Sequence, residues 1–301
     1  MNEIELLAPA GSYDSLIAAV NTGADAVYVG GNKFSARAKA SNFDNETLIK
    51  AMNHCHLYGV KVYIAVNTLI KDQELNEAIE YIEFLNNQGV DGVIIQDIGL
   101  FNEIKKTHHN FENLEIHAST QMTIHNLEGA RFLNTIGYKR IVLSRELSIE
   151  EITEISQEIE TEIFVHGALC ICYSGQCLMS SLIGGKSGNR GRCAQPCRLK
   201  YTFISEDKSN KVIQKEGYIL SPKDISTFDF VDKILATKTK SLKIEGRMKT
   251  PEYVAGVVSA YRKKIDNVDF SQLSEKQEKK NLLKLFNREG FSKAYFFGNQ
   301  Y

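Results

Sequence analysis

The chain has 301 residues, 43% of them hydrophobic and 24% charged, a composition that suits a soluble globular fold with a substantial core. Its net charge of −1 excludes a polybasic binder that works by bulk charge. No run of 18 apolar residues occurs, which excludes a membrane-spanning helix, and the opening MNEIELLAPAGS is acidic where a signal peptide would be basic, so a cytoplasmic protein is expected.

Short apolar runs alternate with amphipathic stretches along the chain. The first run, at residues 4–8, leads into a helix over 12–22 that begins on Ser12 as N-cap and stops at Gly23. A second run at 26–29 precedes a helix over 45–58 that stops at Gly59, and a third at 60–66 precedes a helix over 75–88 that stops at Gly89. Further runs follow at 93–95, 114–118, 140–143, 162–165 and 242–244. Several are rich in Val and Ile, as strands buried on both faces are. Strands alternating with helices imply a parallel sheet with right-handed crossovers, and eight such units predict a (β/α)8 TIM-like barrel. An open doubly wound sheet is the alternative. No G-x-G-x-x-G opens the first helix, which disfavours it.

The interval before the last strand breaks the rhythm. Residues 166–221 hold a cysteine-rich stretch, then KYTFI and GYILS flanking the turn-like SEDKSNK, which predicts a β-hairpin. The barrel domain is expected to span 1–265 with this insertion in it, and 266–301 to be a C-terminal extension, with the chain ending before a further small domain. Insertions after strand C-termini are where such barrels carry chemistry.

Five of the six cysteines (Cys170, Cys172, Cys177, Cys193 and Cys197) fall within 28 residues, and Cys55 stands apart in a predicted helix as a core residue. In a reducing compartment that clustering favours metal over disulfides. Cys170, Cys177, Cys193 and Cys197 are separated by six, fifteen and three residues. Only the last pair has the tight spacing of a zinc knuckle, so the looser set suits an iron–sulfur cluster better, with zinc or plain buried thiols as alternatives. Cys172 reads as a small buried residue.

The same segment resembles the signature of the peptidase U32 family through Glu162, Phe164, Gly167, Ala168, Leu169, Cys170, Gly175, Cys177 and Ser180. LLAPAGS, GADAVYVGG, NRGRCAQPCR and KIEGR followed by TPEYV extend the resemblance over most of the chain. The resemblance implies a 4Fe–4S cluster on Cys170, Cys177, Cys193 and Cys197, leaving Cys172 outside it. It also implies one of two activities, collagenase-like peptidase or RNA hydroxylation, the latter including prephenate-dependent formation of 5-hydroxyuridine at the tRNA wobble position. Related proteins that act in pairs make a U32 partner protein a further expectation, with an iron–sulfur scaffold subunit as the non-enzymatic reading. Proteolysis finds poor support in the residues, because neither H-E-x-x-H nor G-x-S-x-G is present.

From residue 164 to residue 205 no acidic side chain occurs, while Lys186, Arg190, Arg192, Arg198 and Lys200 do. Arginines on a Gly-rich loop suit phosphate oxygens of RNA, and they would equally offset an anionic cluster. Polar residues at predicted strand ends complete the candidates: Asn67, Asp97, His117, Ser119, Gln121, Arg145, Glu146, His166, Glu245 and Arg247. Of these, His166, Glu245, Arg145 and Glu146 are expected in catalysis, with His166 near the cluster as base or hydrogen-bond partner. Arg247, His117, Gln121, Asn67, Arg190, Arg192 and Arg198 are expected to bind substrate, the strand-end arginines holding a small carboxylated oxygen donor and the loop arginines holding RNA. Any one of them serves equally well as a structural ion pair.

Overall fold

The computed structural model describes residues 4–37, 40–107, 111, 113–206, 212–267 and 272–298. The first six strand–helix units run without interruption: β1 (Glu5–Pro9), α1 (Tyr13–Asn21), β2 (Ala26–Val29), α2 (Asn45–Leu57), β3 (Lys61–Val66), α3 (Asp72–Asn87), β4 (Gly92–Ile95), α4 (Ile98–Lys106), β5 (Glu115–Ala118), α5 (Leu127–Ile136), β6 (Arg140–Val142) and α6 (Ile149–Ser156). β7 (Thr161–Gly167) leads into the insertion, which holds α7 (Met179–Gly184), β8 (Tyr201–Glu206), β9 (Val212–Gly217), β10 (Asp224–Ser226) and α8 (Val231–Leu235). β11 (Ser241–Ile244), α9 (Pro251–Ile265), α10 (Gln272–Leu285) and β12 (Phe291–Ser292) finish the chain.

β1 to β7 pair in sequence order, β11 pairs with β1, and β11 also pairs with β7, all in parallel. Eight strands therefore close on themselves. The fold is the TIM-like barrel that the alternation of runs predicts, and all eight expected runs are its staves. Ser12 caps α1 by accepting from the Ser15 amide at 3.2 Å, as expected. β8 and β9 form the expected antiparallel hairpin as a separate two-stranded sheet. Residues 207–211, at its tip, lie outside the described residues.

The apolar core lies between the staves and the helices, where Leu6, Val27, Ile64, Val93, Ile141, Leu242, Val254 and Val257 are buried. The barrel interior is different. Alternation at period 2 turns Glu5, Tyr63, Arg140, Glu162 and Lys243 inward. Arg140 reaches Glu5 at 2.6 Å and Glu162 at 3.5 Å, and Lys243 meets the other oxygen of Glu162 at 2.7 Å. Tyr63 and Ser241 donate to Glu5 at 2.8 and 2.9 Å. A buried network of this kind adds little net stability, yet it strongly disfavours any register that breaks it.

The described residues of segment 266–301, expected as an extension, pack back on the insertion and the barrel. β10 pairs antiparallel with the end of β7, β12 pairs with β10, and the Ile149 amide donates to Phe296 O at 3.0 Å. The C-terminal residues therefore brace the insertion against the barrel.

Candidate active site at the barrel mouth

The insertion lies over the C-terminal ends of the staves and is fastened there at two points. Ser174 is fully buried. Its amide and hydroxyl donate to Glu146 Oε1 at 3.1 and 3.3 Å, its hydroxyl accepts from Arg145 N and Nε at 3.2 Å, and its carbonyl accepts from Thr123 Oγ1 at 2.7 Å. The next residue, Gly175, has φ +76°, and a Cβ there would stand 2.2 Å from Gln121 O. At the far end of the cysteine run Gly191 presses on the loop after β2, where a Cβ would stand 2.3 Å from Ser35 O. Both close approaches require glycine.

Between these fastenings lies a cavity of about 170 Å³ walled by Cys170, Cys177, Cys193 and Cys197, with Tyr28, Phe164, Lys243, Glu245 and Arg247 coming from the barrel. Cys172 lines no part of it, and Cys55 is buried in α2 as expected of a core residue. Burial pushes the Cys177 and Cys197 thiols up, and neighbouring Cys170 and Cys193 add to the rise in both. Cys172 adds to the rise at Cys177 as well. Among the described residues no three His, Cys, Asp or Glu side chains converge closely enough for a single metal ion. Four thiol donors around one cavity are a donor set that suits an iron–sulfur centre.

A second cavity of about 330 Å³ shares Cys170, Cys193 and Cys197 with the first. Its charged lining is Arg37, Arg145, Arg198, Lys249 and Arg288 with Glu245, and Arg288 is already paired with buried Asp224 at 2.5 Å. Burial acts to raise the Glu245 pKa, but Arg37, Arg247, Arg145 and Lys243 outweigh it and hold the carboxylate ionised. Arg37 approaches Glu245 Oε1 at 3.4 Å. Arg247 donates to Ser35 Oγ at 2.7 Å, and burial lowers its pKa to about 10. Burial, with Arg288 adding, brings Lys249 down to about 8. A surplus of cations beside a soft-donor set is suited to a small anion, above all one with carboxylates.

Of the expected residues beside the cysteines, Asn67, Ser119, Gln121, Arg145, Arg198, Glu245 and Arg247 reach these two cavities. Arg198 also grips the backbone, donating to Ser221 Oγ at 2.8 Å, to Pro222 O at 2.9 Å and to Leu169 O. Four expectations need correction. His166 lies on the helix side of β7, where its Nδ1 is 3.3 Å from Tyr261 OH and its ring meets Tyr253 and Phe291. The cause is a register slip: Lys243 pairs with Phe164 but Ile244 with His166, so the inward–outward alternation breaks after Phe164. Burial lowers its pKa to about 3, which keeps it neutral. His117 lies below the mouth, packed on Tyr63 with ring centroids 4.7 Å apart and 2.9 Å from Glu115, and Ser119, just past the end of β5, reaches the cavity instead. Glu146 anchors Ser174 and lines neither cavity. Arg190 is held by Glu74 of α3 at 2.7 and 2.5 Å, which removes it from phosphate binding. Arg192 is exposed outside both cavities.

The residues that sequence reasoning missed are Arg37, Tyr173, Lys243, Lys249 and Arg288. Arg37 and Arg288 come from loops far from the cysteines in sequence, and no local spacing points to them. Lys243 was legible as a charge inside an apolar stave.

The sequence profile of peptidase family U32 matches residues 11–301. The chain is 37% identical over 268 residues to a tRNA hydroxylation protein of Bacillus subtilis (strain 168), covering 87% of this chain and 63% of that one. It is 40% identical over 271 residues to a 23S rRNA 5-hydroxycytidine synthase of Escherichia coli (strain K12), covering 89% of this chain and 40% of that one. It is 34% identical over 317 residues to a protein named collagenase from Porphyromonas gingivalis (strain ATCC BAA-308 / W83), covering 100% of this chain and 75% of that one. A solved U32 peptidase structure superimposes with a TM-score of 0.53 at 12% identity, over 81% of this chain and 93% of that one, a likeness of fold.

Proposed function

The chain belongs to peptidase family U32, and on that premise we propose that its barrel mouth hydroxylates an RNA base with a 4Fe–4S cluster held by Cys170, Cys177, Cys193 and Cys197. The observation that carries this reading is that those four side chains line one cavity, beside a second cavity with five cationic groups and one carboxylate. When bound, the cluster supplies one-electron and Lewis-acid chemistry at the cavity wall. Arg37, Arg145 and Lys249 would bind the carboxylates of a small oxygen donor of the prephenate kind and orient it toward the cysteine wall. Glu245, ionised and shared by both cavities, stands where it can accept the proton that the base carbon loses at one carboxylate oxygen. Tyr28, Phe164 and Lys243 close the floor and exclude water from it.

Relatives named for tRNA and rRNA hydroxylation support RNA as the substrate class. The relative named collagenase supports the peptidase reading. That reading is weakened by the lining: among the described residues no histidine faces either cavity, so no cysteine there has an imidazole to activate it. Mass spectrometry of nucleosides from a deletion strain tests the proposal. Loss of a 5-hydroxypyrimidine derivative from tRNA or rRNA, restored by the plasmid-borne chain, is the expected result; nucleosides unchanged in both RNA classes reject it.

A further inference from the structure

Three aromatic rings line the cysteine cavity: Tyr28, Phe164 and Tyr173. Two of them are committed. Tyr28 is 4% exposed, with Lys243 Nζ 4.4 Å and Arg247 Cζ 5.9 Å from its ring centroid. Phe164 is 9% exposed, with Lys243 Nζ at 5.5 Å and Arg145 Cζ at 5.8 Å. Tyr173 is 63% exposed, and among the described residues its side chain has no hydrogen-bond, ring or cation partner. Its backbone is nonetheless fixed. Its carbonyl accepts from the Gln176 amide at 3.1 Å, and Ser174 beside it is buried and tied to Glu146, Arg145 and Thr123. A ring with bare faces thus stands on a tied backbone at the lip of the cavity.

An enzyme that acts on a base inside a stacked nucleic acid must take that base out of its stack, and the nucleotide then needs a new surface to lie on. Exposed aromatic side chains serve this purpose in single-stranded nucleic acid binding, since every base has a π face. We infer that Tyr173 is the stacking platform that receives the unpaired base, or its immediate neighbour, as it enters the cysteine cavity. The inference rests on the RNA reading above and adds to it that the substrate is an unpaired loop rather than a duplex. The insertion that carries Tyr173 suits a polyanion in its charge: Lys186 and Arg192 are exposed on it, and no acidic residue occurs from residue 164 to residue 205.

The test uses the cluster-loaded full chain and an RNA stem–loop carrying 2-aminopurine in its loop, with a duplex of the same length as control. Wild-type protein is expected to bind the stem–loop and quench the probe. Tyr173→Ala is expected to weaken stem–loop binding roughly 5- to 150-fold and abolish the quenching, whereas Tyr173→Phe and Tyr173→Trp keep both. Tyr173→Leu, which keeps apolar bulk without a ring, is expected to lose the quenching like the alanine variant. Duplex binding is expected to change less than twofold in all four. Unchanged binding and quenching in Tyr173→Ala overturns the inference while leaving RNA as substrate. Loss in Tyr173→Phe equal to that in Tyr173→Ala overturns it too, because the hydroxyl rather than the ring would then be the contact. If wild-type protein binds neither RNA, the RNA reading falls and this inference with it.

Discussion

Replacing Gly175 by alanine should empty the cysteine site and leave the barrel folded. The backbone at Gly175 has φ +76°, and a Cβ built there lies 2.2 Å from Gln121 O and 2.8 Å from both Gln121 C and Gln121 Cα. The left-handed conformation costs an L-residue about 1–2 kcal/mol. Relieving a clash with backbone atoms adds about 1–3 kcal/mol, the usual cost of overpacking. Together these disfavour the closed loop by about 2–5 kcal/mol, a factor of roughly 30 to 5,000 on its population, since about 1.4 kcal/mol is tenfold. The loop carries Cys170 on one side and Cys177 on the other, so opening it separates two of the four sulfurs from the other pair. Because the strain falls on an insertion, the barrel's thermal unfolding should shift by only a few degrees. Gly184→Ala is the control: no atom lies within 4 Å of its built Cβ and no positive φ is involved. The assay is iron and acid-labile sulfide per chain after anaerobic reconstitution, with the absorption band near 400 nm, beside far-UV circular dichroism. A Gly175→Ala protein with the same cluster content as Gly184→Ala would refute the reasoning.

Three further outcomes follow from the same geometry. His166 is buried and neutral, with its pKa lowered from 6.5 to about 3; a group depressed on folding takes up protons on unfolding, so stability is lost as pH falls through that window, by about 2 kcal/mol between pH 7 and pH 5. His166→Gln should flatten that dependence in urea titrations while leaving hydroxylation largely intact, and a steep loss of turnover in a folded His166→Gln protein would reinstate His166 at the reaction centre. Arg192→Ala should reduce the salt dependence of RNA binding by about one phosphate contact, whereas Arg190→Ala should leave it unchanged because Glu74 already holds that guanidinium; equal slopes for the two variants contradict this assignment. Arg140→Met leaves Glu5 and Glu162 buried without their shared guanidinium and should cost about 3–5 kcal/mol of stability, read as a fall in the denaturation midpoint.

The barrel was legible because its information is local and repeated. Each stave is a short Val/Ile run, each of the first three helices stops at a glycine, and closure needs only a count of eight. The cysteine set was legible for a related reason, since residue type alone marks soft ligands. What failed was the facing and pairing of single side chains. His166 was misplaced by a one-residue slip between β7 and β11, which composition does not record. Arg190 looked free until Glu74, 116 positions away, closed on it. Arg37 and Arg288 reach the anionic-ligand cavity from opposite ends of the chain, and only closure of the barrel brings them together. The acid-free loop was read as a set that binds phosphate or offsets a cluster, but its arginines divide into Arg190 paired to Glu74, Arg198 bound to backbone and Ser221, and Arg192 exposed.

The central claim is that four thiolates grip one inorganic centre at the barrel mouth, and metal analysis tests it most directly. Protein purified without oxygen should carry about four iron and four sulfide per chain, and serine at Cys170, Cys177, Cys193 or Cys197 should remove most of both, while Cys172→Ser and Cys55→Ser keep them. Stoichiometric zinc in place of iron, or iron and sulfide undiminished when all four cysteines are replaced, would contradict it.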